Sequence, residues 1–372
     1  MHVGVPKEIK NHEYRVGLTP AVVRELTSRG HSVAIETQAG DAIGFSDDHY
    51  RQAGGQIVDS AEQIFAQAQM IVKVKEPQPA ECNMLRDGQL LFTYLHLAPD
   101  RRQAGLLLAS GATCIAYETV TDSQNSLPLL APMSEVAGRL SIQAAAHHLE
   151  KAQGGSGTLL GGVPGVEPGK VVIIGGGVVG TNAAYMAVGM GADVTLLDRS
   201  LPRLRELDAI FGNRLKTAFS SSDAIEKHAT NADVIIGGVL IPGASAPKLI
   251  CKQHLAAMKN GSVIVDVAID QGGCFETSKP TTHQAPTYVV DGVVHYCVAN
   301  MPGGVARTST MALNNATMPF VLALANKGAM RALKENPHLA NGLNLFAGKV
   351  THQAVAEALN YDYVPMDHAL AS

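Results

Sequence analysis

Residues 170–200 read KVVIIGGGVVGTNAAYMAVGMGADVTLLDRS, and the order of apolar and glycine-rich segments in this stretch decides the fold. Val171 to Ile174 form a β-branched apolar run that ends in Gly175-Gly176-Gly177-Val178-Val179-Gly180, and helix-like spacing then leads to a second apolar run closed by Asp198. The pattern predicts a strand, a tight turn, a helix and a second strand. In Gly175-x-Gly177-x-x-Gly180 one glycine makes the turn, one lets the backbone approach a pyrophosphate, and one lets helix and strand pack closely. The helix that follows offers unpaired N–H groups and the positive end of its dipole to phosphates. Outside this context the same glycines would read as a turn without a ligand. Asp198 lies about 20 residues beyond the turn, where a carboxylate accepts from a ribose 2′-hydroxyl and repels a 2′-phosphate, so NAD is expected over NADP. Arg199 and Arg203 are the residues that would accommodate a 2′-phosphate instead.

A chain of 372 residues exceeds one ordinary core and predicts two domains. Its net charge of -4, without a long basic run, argues against nucleic acid or an anionic membrane as partner. The five cysteines, Cys82, Cys114, Cys251, Cys274 and Cys297, are scattered and show no Cys-x-x-Cys spacing, so neither a disulfide framework nor a metal site is expected. The first residues, MHVGVPKEIKNHEYR, meet charge before an apolar targeting core forms, and no apolar run is long enough to cross a bilayer. A cytoplasmic protein in a reducing compartment is the expectation.

Taken in order, the chain alternates short apolar runs with helical periodicity. Strands are expected at 2–5, 33–36, 57–58, 70–74, 89–94 and 113–117, with helices at 20–30, 48–53, 61–67 and 101–110 between them. An alanine-rich helix over 132–151 connects to a glycine-rich loop, 154–169, which leads into the strand of the glycine turn. Beyond Asp198 come helices at 201–211 and 222–229 and strands at 216–218, 234–237 and 263–267, while 308–359 has helical periodicity. The reading is an α/β protein of two doubly wound, Rossmann-like domains with a ligand cleft between them. The first domain is discontinuous, 1–130 plus 306–372, and the dinucleotide-binding domain spans 131–305.

Several residues stand out for their chemistry. Arg15, in the turn after the first strand, suits a carboxylate held by two prongs, against the alternative of a surface arginine. Lys73 and Lys75 close an apolar strand; Lys75 is placed to reach the cleft, whereas Lys73 fits a charged edge strand. His96 follows another apolar strand and is the natural proton carrier near neutral pH, against the alternative of a satisfied core histidine. His147 and His148 read as structural. Asp270, in the turn after the strand ending near Val267, is expected at the level of the nicotinamide; Asp266, inside the strand, reads as structural. The loop from Val298 to Gly304 is expected to shape the nicotinamide pocket.

The segments VPKEIKNHEYRVGLTP, VKVKEP, TYLHLAP, VVIIGGGVVG, VDVAIDQGG and VANMPGGVARTST, in this order, closely resemble the bacterial L-alanine dehydrogenases and their transhydrogenase relatives. The resemblance implies reversible NAD-dependent oxidative deamination of L-alanine to pyruvate and ammonia. It implies that Arg15 and Lys75 bind substrate, that His96 is the acid/base group and that Asp270 assists. It further implies nucleotide contacts from Ser134, Gly175, Gly177, Val178, Val179, Gly180, Asp198, Arg203, Ser220, Val239, Leu240, Val267, Ala268, Ile269, Asp270, Lys279, Val298, Ala299, Asn300 and Met301, and a homohexamer. Two other readings are an NAD(H)-binding transhydrogenase subunit and a related amino-acid dehydrogenase such as one forming saccharopine.

Overall fold

The computed structural model describes residues 1–239 and 247–370, which fall into two compact units, 1–133 with 305–372, and 134–304. The strands of the first part of the chain are β1 (His2–Val5), β2 (Ser32–Glu36), β3 (Gln56–Val58), β4 (Met70–Val72), β5 (Leu90–Thr93) and β6 (Thr113–Ala116). Those of the second unit are β7 (Lys170–Ile174), β8 (Asp193–Asp198), β9 (Lys216–Phe219), β10 (Val234–Gly237), β11 (Val263–Asp266), β12 (Thr287–Val290) and β13 (Val293–Tyr296). The C-terminal segment adds β14 (Leu343–Phe346) and β15 (Lys349–Val350).

Both sheets share one design. In the first unit the order is β15-β14-β6-β5-β4-β1-β2-β3, and the run from β3 to β6 is parallel. In the second it is β12-β13-β11-β10-β7-β8-β9, parallel from β9 to β13. Read from β3 or from β9, each parallel run follows the doubly wound order 3-2-1-4-5-6, whose switch point is where ligands bind. That point lies between β1 and β4 in the first unit and between β7 and β10 in the second. The second unit's core confirms burial on both faces: Val171, Ile173, Leu196 and Ile236 pack on one side, and Val172, Ile174, Leu197 and Ile235 on the other. This is the period-two pattern of strands covered on both faces.

The structure corrects several expectations. Strand β4 ends at Val72, so Lys73 lies beyond it; since β4 sits between β5 and β1, it is not an edge, and Lys73 is 0% exposed. The segment after residue 308 is not wholly helical, because β14 pairs antiparallel with β6 and β15 antiparallel with β14, extending the first sheet. The hairpin β12–β13 escaped the sequence reading although Asp291-Gly292, both in the left-handed region at φ 48° and 79°, carry the turn signal for it. Helix Ala131–His148 begins before the boundary at 133/134, a few residues from the boundary drawn at 130/131. His148 is buried and packs its ring on Tyr296, whereas exposed His147 faces Glu150.

The returning C-terminal segment holds the turn that carries Arg15. Helix Ala306–Lys327 presents Asn314, whose Oδ1 accepts the Thr19 N–H at 2.7 Å while its amide donates to the Gly17 and Thr310 carbonyls. Asn314 is buried, so truncation leaves an unmatched donor at Thr19 and an unmatched acceptor at Gly17. Asn314→Ala is expected to destabilise the protein by about 1–3 kcal/mol, read from urea unfolding.

Candidate active site

The sequence candidates of the first unit all follow the C-terminal ends of parallel strands: Arg15 beyond β1, Lys75 beyond β4 and His96 beyond β5. Arg15 is buried, and its guanidinium is gripped along one edge: Nε donates to Glu13 Oε1 at 2.7 Å and Nη2 to Glu13 Oε2 at 2.6 Å. Burial opposes charge on Arg15, but the Glu13 carboxylate outweighs that opposition and raises its pKa. The Nε–Nη2 edge thus serves Glu13, and a two-pronged grip of the kind expected of Arg15 would use the Nη1–Nη2 end of the guanidinium. The other terminal nitrogen, Nη1, points to Met133 Sδ at 3.1 Å.

Lys75 has a side chain only 13% exposed, with Nζ 3.9 Å from Glu76 Oε2. Burial lowers its pKa; Glu76 opposes that shift, and Arg15 and Lys10 add to it. Burial likewise opposes charge on Glu76, yet Lys75, Lys10 and His96 together lower its pKa. Arg15, Lys75, Glu76 and His96 therefore belong to one electrostatic neighbourhood.

His96 adopts φ 48°, an uncommon backbone state for a residue with a side chain. Glu118, just beyond β6, stabilises it by accepting the His96 N–H at 2.7 Å and the Leu95 N–H at 3.1 Å. The imidazole stacks on Tyr94 with centroids 5.7 Å apart and planes within 2°, and is 41% exposed. Tyr94 is buried; burial pushes its phenol up, and the protonated hydroxyl donates to the Leu129 carbonyl. His96 is thus a presented side chain, not a core histidine. Sequence reasoning missed Glu13, Glu118, Tyr94 and Met133; Glu13 and Tyr94 stood inside motifs already singled out. A cavity of about 250 Å³ beside Arg15 is lined by Glu8, Glu13, Gln38 and Asp41 among others, and neither Lys75 nor His96 lines it.

The second unit repeats the placement. Gly175 follows β7, Asp198 closes β8, Ser220 follows β9, Val239 follows β10, Val267 to Asp270 follow β11, and Val298 follows β13. Gly175 has φ +102°, and a Cβ on Gly180 would lie 1.8 Å from the Gly175 carbonyl oxygen, so both positions exclude a side chain. Gly177 and Val178 are exposed at the start of helix Val178–Gly189, and nothing lies within 4 Å of a Cβ built on Gly177. This open cradle of helix N–H groups fits a dinucleotide pyrophosphate.

Asp198 accepts the Gly176 N–H at 2.6 Å and the Ser200 N–H at 2.7 Å. Each carboxylate oxygen keeps a second lone pair, so the same group can also accept from a ribose hydroxyl. Arg203 is committed to the turn: Nε donates to the Gly176 carbonyl, Nη2 to Thr181 Oγ1, and Nη1 pairs with Glu206. It supports the cradle from behind and is not poised for a 2′-phosphate.

Ser220 is buried with its N–H on the Asp198 carbonyl, and Val239 is half-buried. Val267 donates its N–H to Gly237, while Ala268 and Ile269 are buried and Asp270 is exposed in the following turn. Asp266, fully buried, accepts from the backbone of Ala268, Cys274 and Phe275 and from Ser278 Oγ, which makes it the anchor of that turn. Val298 and Met301 are buried, Ala299 is exposed, and Asn300 has φ 71° with its carbonyl hydrogen-bonded to the His283 ring. Exposed Lys279 donates its N–H to Tyr288 Oη, and Ser134 is half-buried in helix Ala131–His148. Leu240 lies outside the described residues. Among the described residues no group of three His, Cys, Asp or Glu side chains is gathered to hold a metal, and no helix is long and apolar enough to cross a membrane.

Comparison with known proteins matches both parts of this arrangement. The family model described as alanine dehydrogenase/PNT, N-terminal domain, matches residues 4–137, and that described as alanine dehydrogenase/PNT, C-terminal domain, matches residues 141–353. The chain belongs to the alanine dehydrogenase/PNT family. It is 61% identical to an alanine dehydrogenase of Halomonas elongata, with 98% of each chain covered, and 56% identical to that of Bacillus subtilis, covering 100% of this chain and 98% of that one. A solved L-alanine dehydrogenase superposes with a TM-score of 0.94 at 55% identity, over 97% of this chain and 99% of that one. A solved transhydrogenase of Sinorhizobium meliloti, at TM-score 0.81 and 24% identity, covering 95% of this chain and 100% of that one, shares the fold.

For this alanine dehydrogenase/PNT chain the Asp198 geometry makes a cofactor prediction. Asp198→Ala removes the charge that repels a 2′-phosphate and the acceptor of two N–H groups of the turn. NAD affinity is expected to fall by about tenfold or more while NADP gains relative to it, read by fluorescence titration of the two reduced cofactors.

Proposed function

We propose that the chain is an NAD-dependent L-alanine dehydrogenase that uses Arg15, Lys75, His96 and Asp270 on substrate. It converts L-alanine, NAD and water to pyruvate, ammonium, NADH and a proton, and runs the reverse reductive amination. The observation that carries the assignment of roles is the placement of a guanidinium, a largely buried ammonium and a presented imidazole beyond the C-terminal ends of β1, β4 and β5, three adjacent strands of which the first two flank the switch point. Full-length relatives named alanine dehydrogenase at 53–61% identity support the choice of substrate.

Arg15, held along one edge by Glu13, offers its Nη1 side to the substrate carboxylate, with Met133 giving way. Lys75 supplies the second cation, so that the carboxylate is fixed at two points and the Cα–H is oriented for transfer. NAD, when bound to the glycine cradle and Asp198, supplies the hydride acceptor. His96 takes protons from the amine and from the attacking water, and returns one as ammonia leaves. Asp270, exposed beside the strand ends of the second unit, assists the water step. In this reading the discontinuous unit holds the substrate and the 134–304 unit holds the nucleotide. Family resemblance also supports a homohexamer working in the cytosol.

Initial rates of NADH formation with L-alanine and NAD, against glycine, L-lysine and NADP, test the reaction. Alanine-dependent reduction of NAD is the expected outcome. Turnover of lysine instead would point to a saccharopine-type enzyme, and NADH binding without turnover of any amino acid to a transhydrogenase subunit.

His96→Ala is expected to lower kcat by about a hundredfold or more with NADH affinity unchanged, since proton transfer is lost and the cradle is untouched. Because Lys75 has a lowered pKa, it loses its charge at a lower pH than an ordinary lysine. The KM for pyruvate should therefore climb early on the alkaline side, and this limb should vanish in Lys75→Met, as a pH series of initial rates would reveal.

A further inference from the structure

Beyond β4 the backbone leaves the sheet while still inside the protein, so its N–H groups need partners that the ladder no longer supplies. Glu8, in the turn after β1, provides them: its Oε1 accepts the Val74 N–H at 2.7 Å and the Lys75 N–H at 3.3 Å. The other oxygen, Oε2, takes the Lys73 ammonium at 3.0 Å, and Lys73 also donates to Glu81 Oε1 at 2.6 Å. Glu81 in turn accepts the Gln78 N–H at 2.8 Å and so caps the short helix Pro79–Cys82. All three side chains are buried, at 0% exposure for Lys73, 2% for Glu8 and 1% for Glu81.

Stability alone does not explain this triad. Removing two carboxylates and an ammonium from water costs more than their attraction reliably returns, and apolar side chains of similar volume often serve a core better. What an apolar trio cannot do is hold the two N–H groups that set the direction in which Lys75 leaves the strand. The Lys75 carbonyl is fixed as well, by the Thr93 hydroxyl at 2.9 Å, and the Lys73 carbonyl by the Tyr117 hydroxyl at 3.0 Å. The segment is thus pinned on both sides of its peptide groups.

We propose that Glu8 is a positioning residue for Lys75, and that Lys73, itself held by Glu81, anchors the second oxygen of the Glu8 carboxylate so that the first faces the backbone. The inference rests on the substrate-binding role proposed for Lys75. Glu8 touches neither substrate nor cofactor in this account and acts through the backbone.

Glutamine at position 8 has a single acceptor oxygen, so it must abandon either the Lys73 ammonium or the two backbone N–H groups. Glu8→Gln is therefore expected to raise the KM for pyruvate by about tenfold or more, because small displacements of a positioning group are costly, while NADH affinity holds. Glu81→Gln perturbs the same charge cluster but leaves both Glu8 oxygens in place, and is expected to stay within about twofold in KM. The neutral triple variant Glu8→Gln, Lys73→Met, Glu81→Gln removes the competing ammonium and frees the glutamine oxygen for the backbone. It should recover most of the pyruvate KM.

A purely structural triad predicts the opposite pattern. Glu8→Gln and Glu81→Gln would lower Tm alike, with pyruvate KM unchanged in the folded protein, and that result overturns the proposal. A readout independent of turnover separates this from failure of the enzymatic reading: the rate at which an acylating reagent modifies Lys75, followed by mass spectrometry across pH. Charged neighbours of Lys75 are Glu76, Arg15, Lys10 and Glu13, all unaltered in these variants. In Glu8→Gln the released lysine should react faster and titrate closer to an ordinary lysine, and in the triple variant it should revert. An unchanged modification profile in Glu8→Gln overturns the positioning role whether or not alanine is turned over.

Discussion

A parallel sheet leaves the chain with backbone N–H groups that lose their ladder partners at each strand's C-terminal end, and in this protein carboxylates capture them. Asp198 takes the N–H groups of Gly176 and Ser200, Glu118 those of Leu95 and His96, and Glu8 those of Val74 and Lys75. Asp266 holds three more in the turn around Asp270. The constraint comes from geometry, since a buried N–H left without an acceptor costs about as much as a typical substitution removes. Every one of these turns carries a residue proposed for substrate or nucleotide. A charged acceptor makes a stronger bond than a neutral one and fixes the turn before any ligand arrives.

This arrangement also explains how a chain with few charged residues, 17% in all, keeps so many of them inside. Burial opposes ionisation at Glu8, Arg15, Lys73 and Lys75 alike, and for the first three a partner of opposite charge stands within hydrogen-bond distance. Lys75 is the exception, for its carboxylate neighbour Glu76 lies 3.9 Å away. The protein spends its close pairing on the residues that hold the site and leaves the ammonium of Lys75 only loosely matched. An ammonium in that condition binds an anionic substrate group more strongly than one already neutralised, because desolvation has been settled by folding.

Much of the fold was legible because it is written in local pattern. The glycines at 175, 177 and 180, the β-branched run before them and Asp198 after them define one strand–turn–helix–strand unit, and the alternation of such units implies two doubly wound sheets. The antiparallel additions were harder to read. Strands β14 and β15 are short and sit in a segment with helical periodicity; β14 is a strand because it pairs with β6, some 230 residues earlier in the chain, and β15 because it pairs with β14, which outweighs local propensity. The hairpin β12–β13, by contrast, carries a local signal in Asp291-Gly292, whose left-handed backbone makes the two-residue turn.

The site was legible in half. Cations and glycines announce themselves by standing at the ends of apolar runs, and the candidates Arg15, Lys75 and His96 and the cradle are all read in this way. Their carboxylate partners do not, because the pairing is tertiary: Glu8 lies 66 residues from Val74, and Glu118 22 residues from His96. Lys73 shows the difficulty most clearly. By local pattern it is a charged residue at the end of a short strand, a usual mark of an exposed edge, and only the strand order that puts β4 between β5 and β1 makes it interior. Once β1 and β4 are neighbours, the turn after β1 must pass over the end of β4, and a glutamate in that turn meets the lysine. The positions of the candidate cations were thus written locally, whereas their orientation depends on the same strand order that creates the switch point.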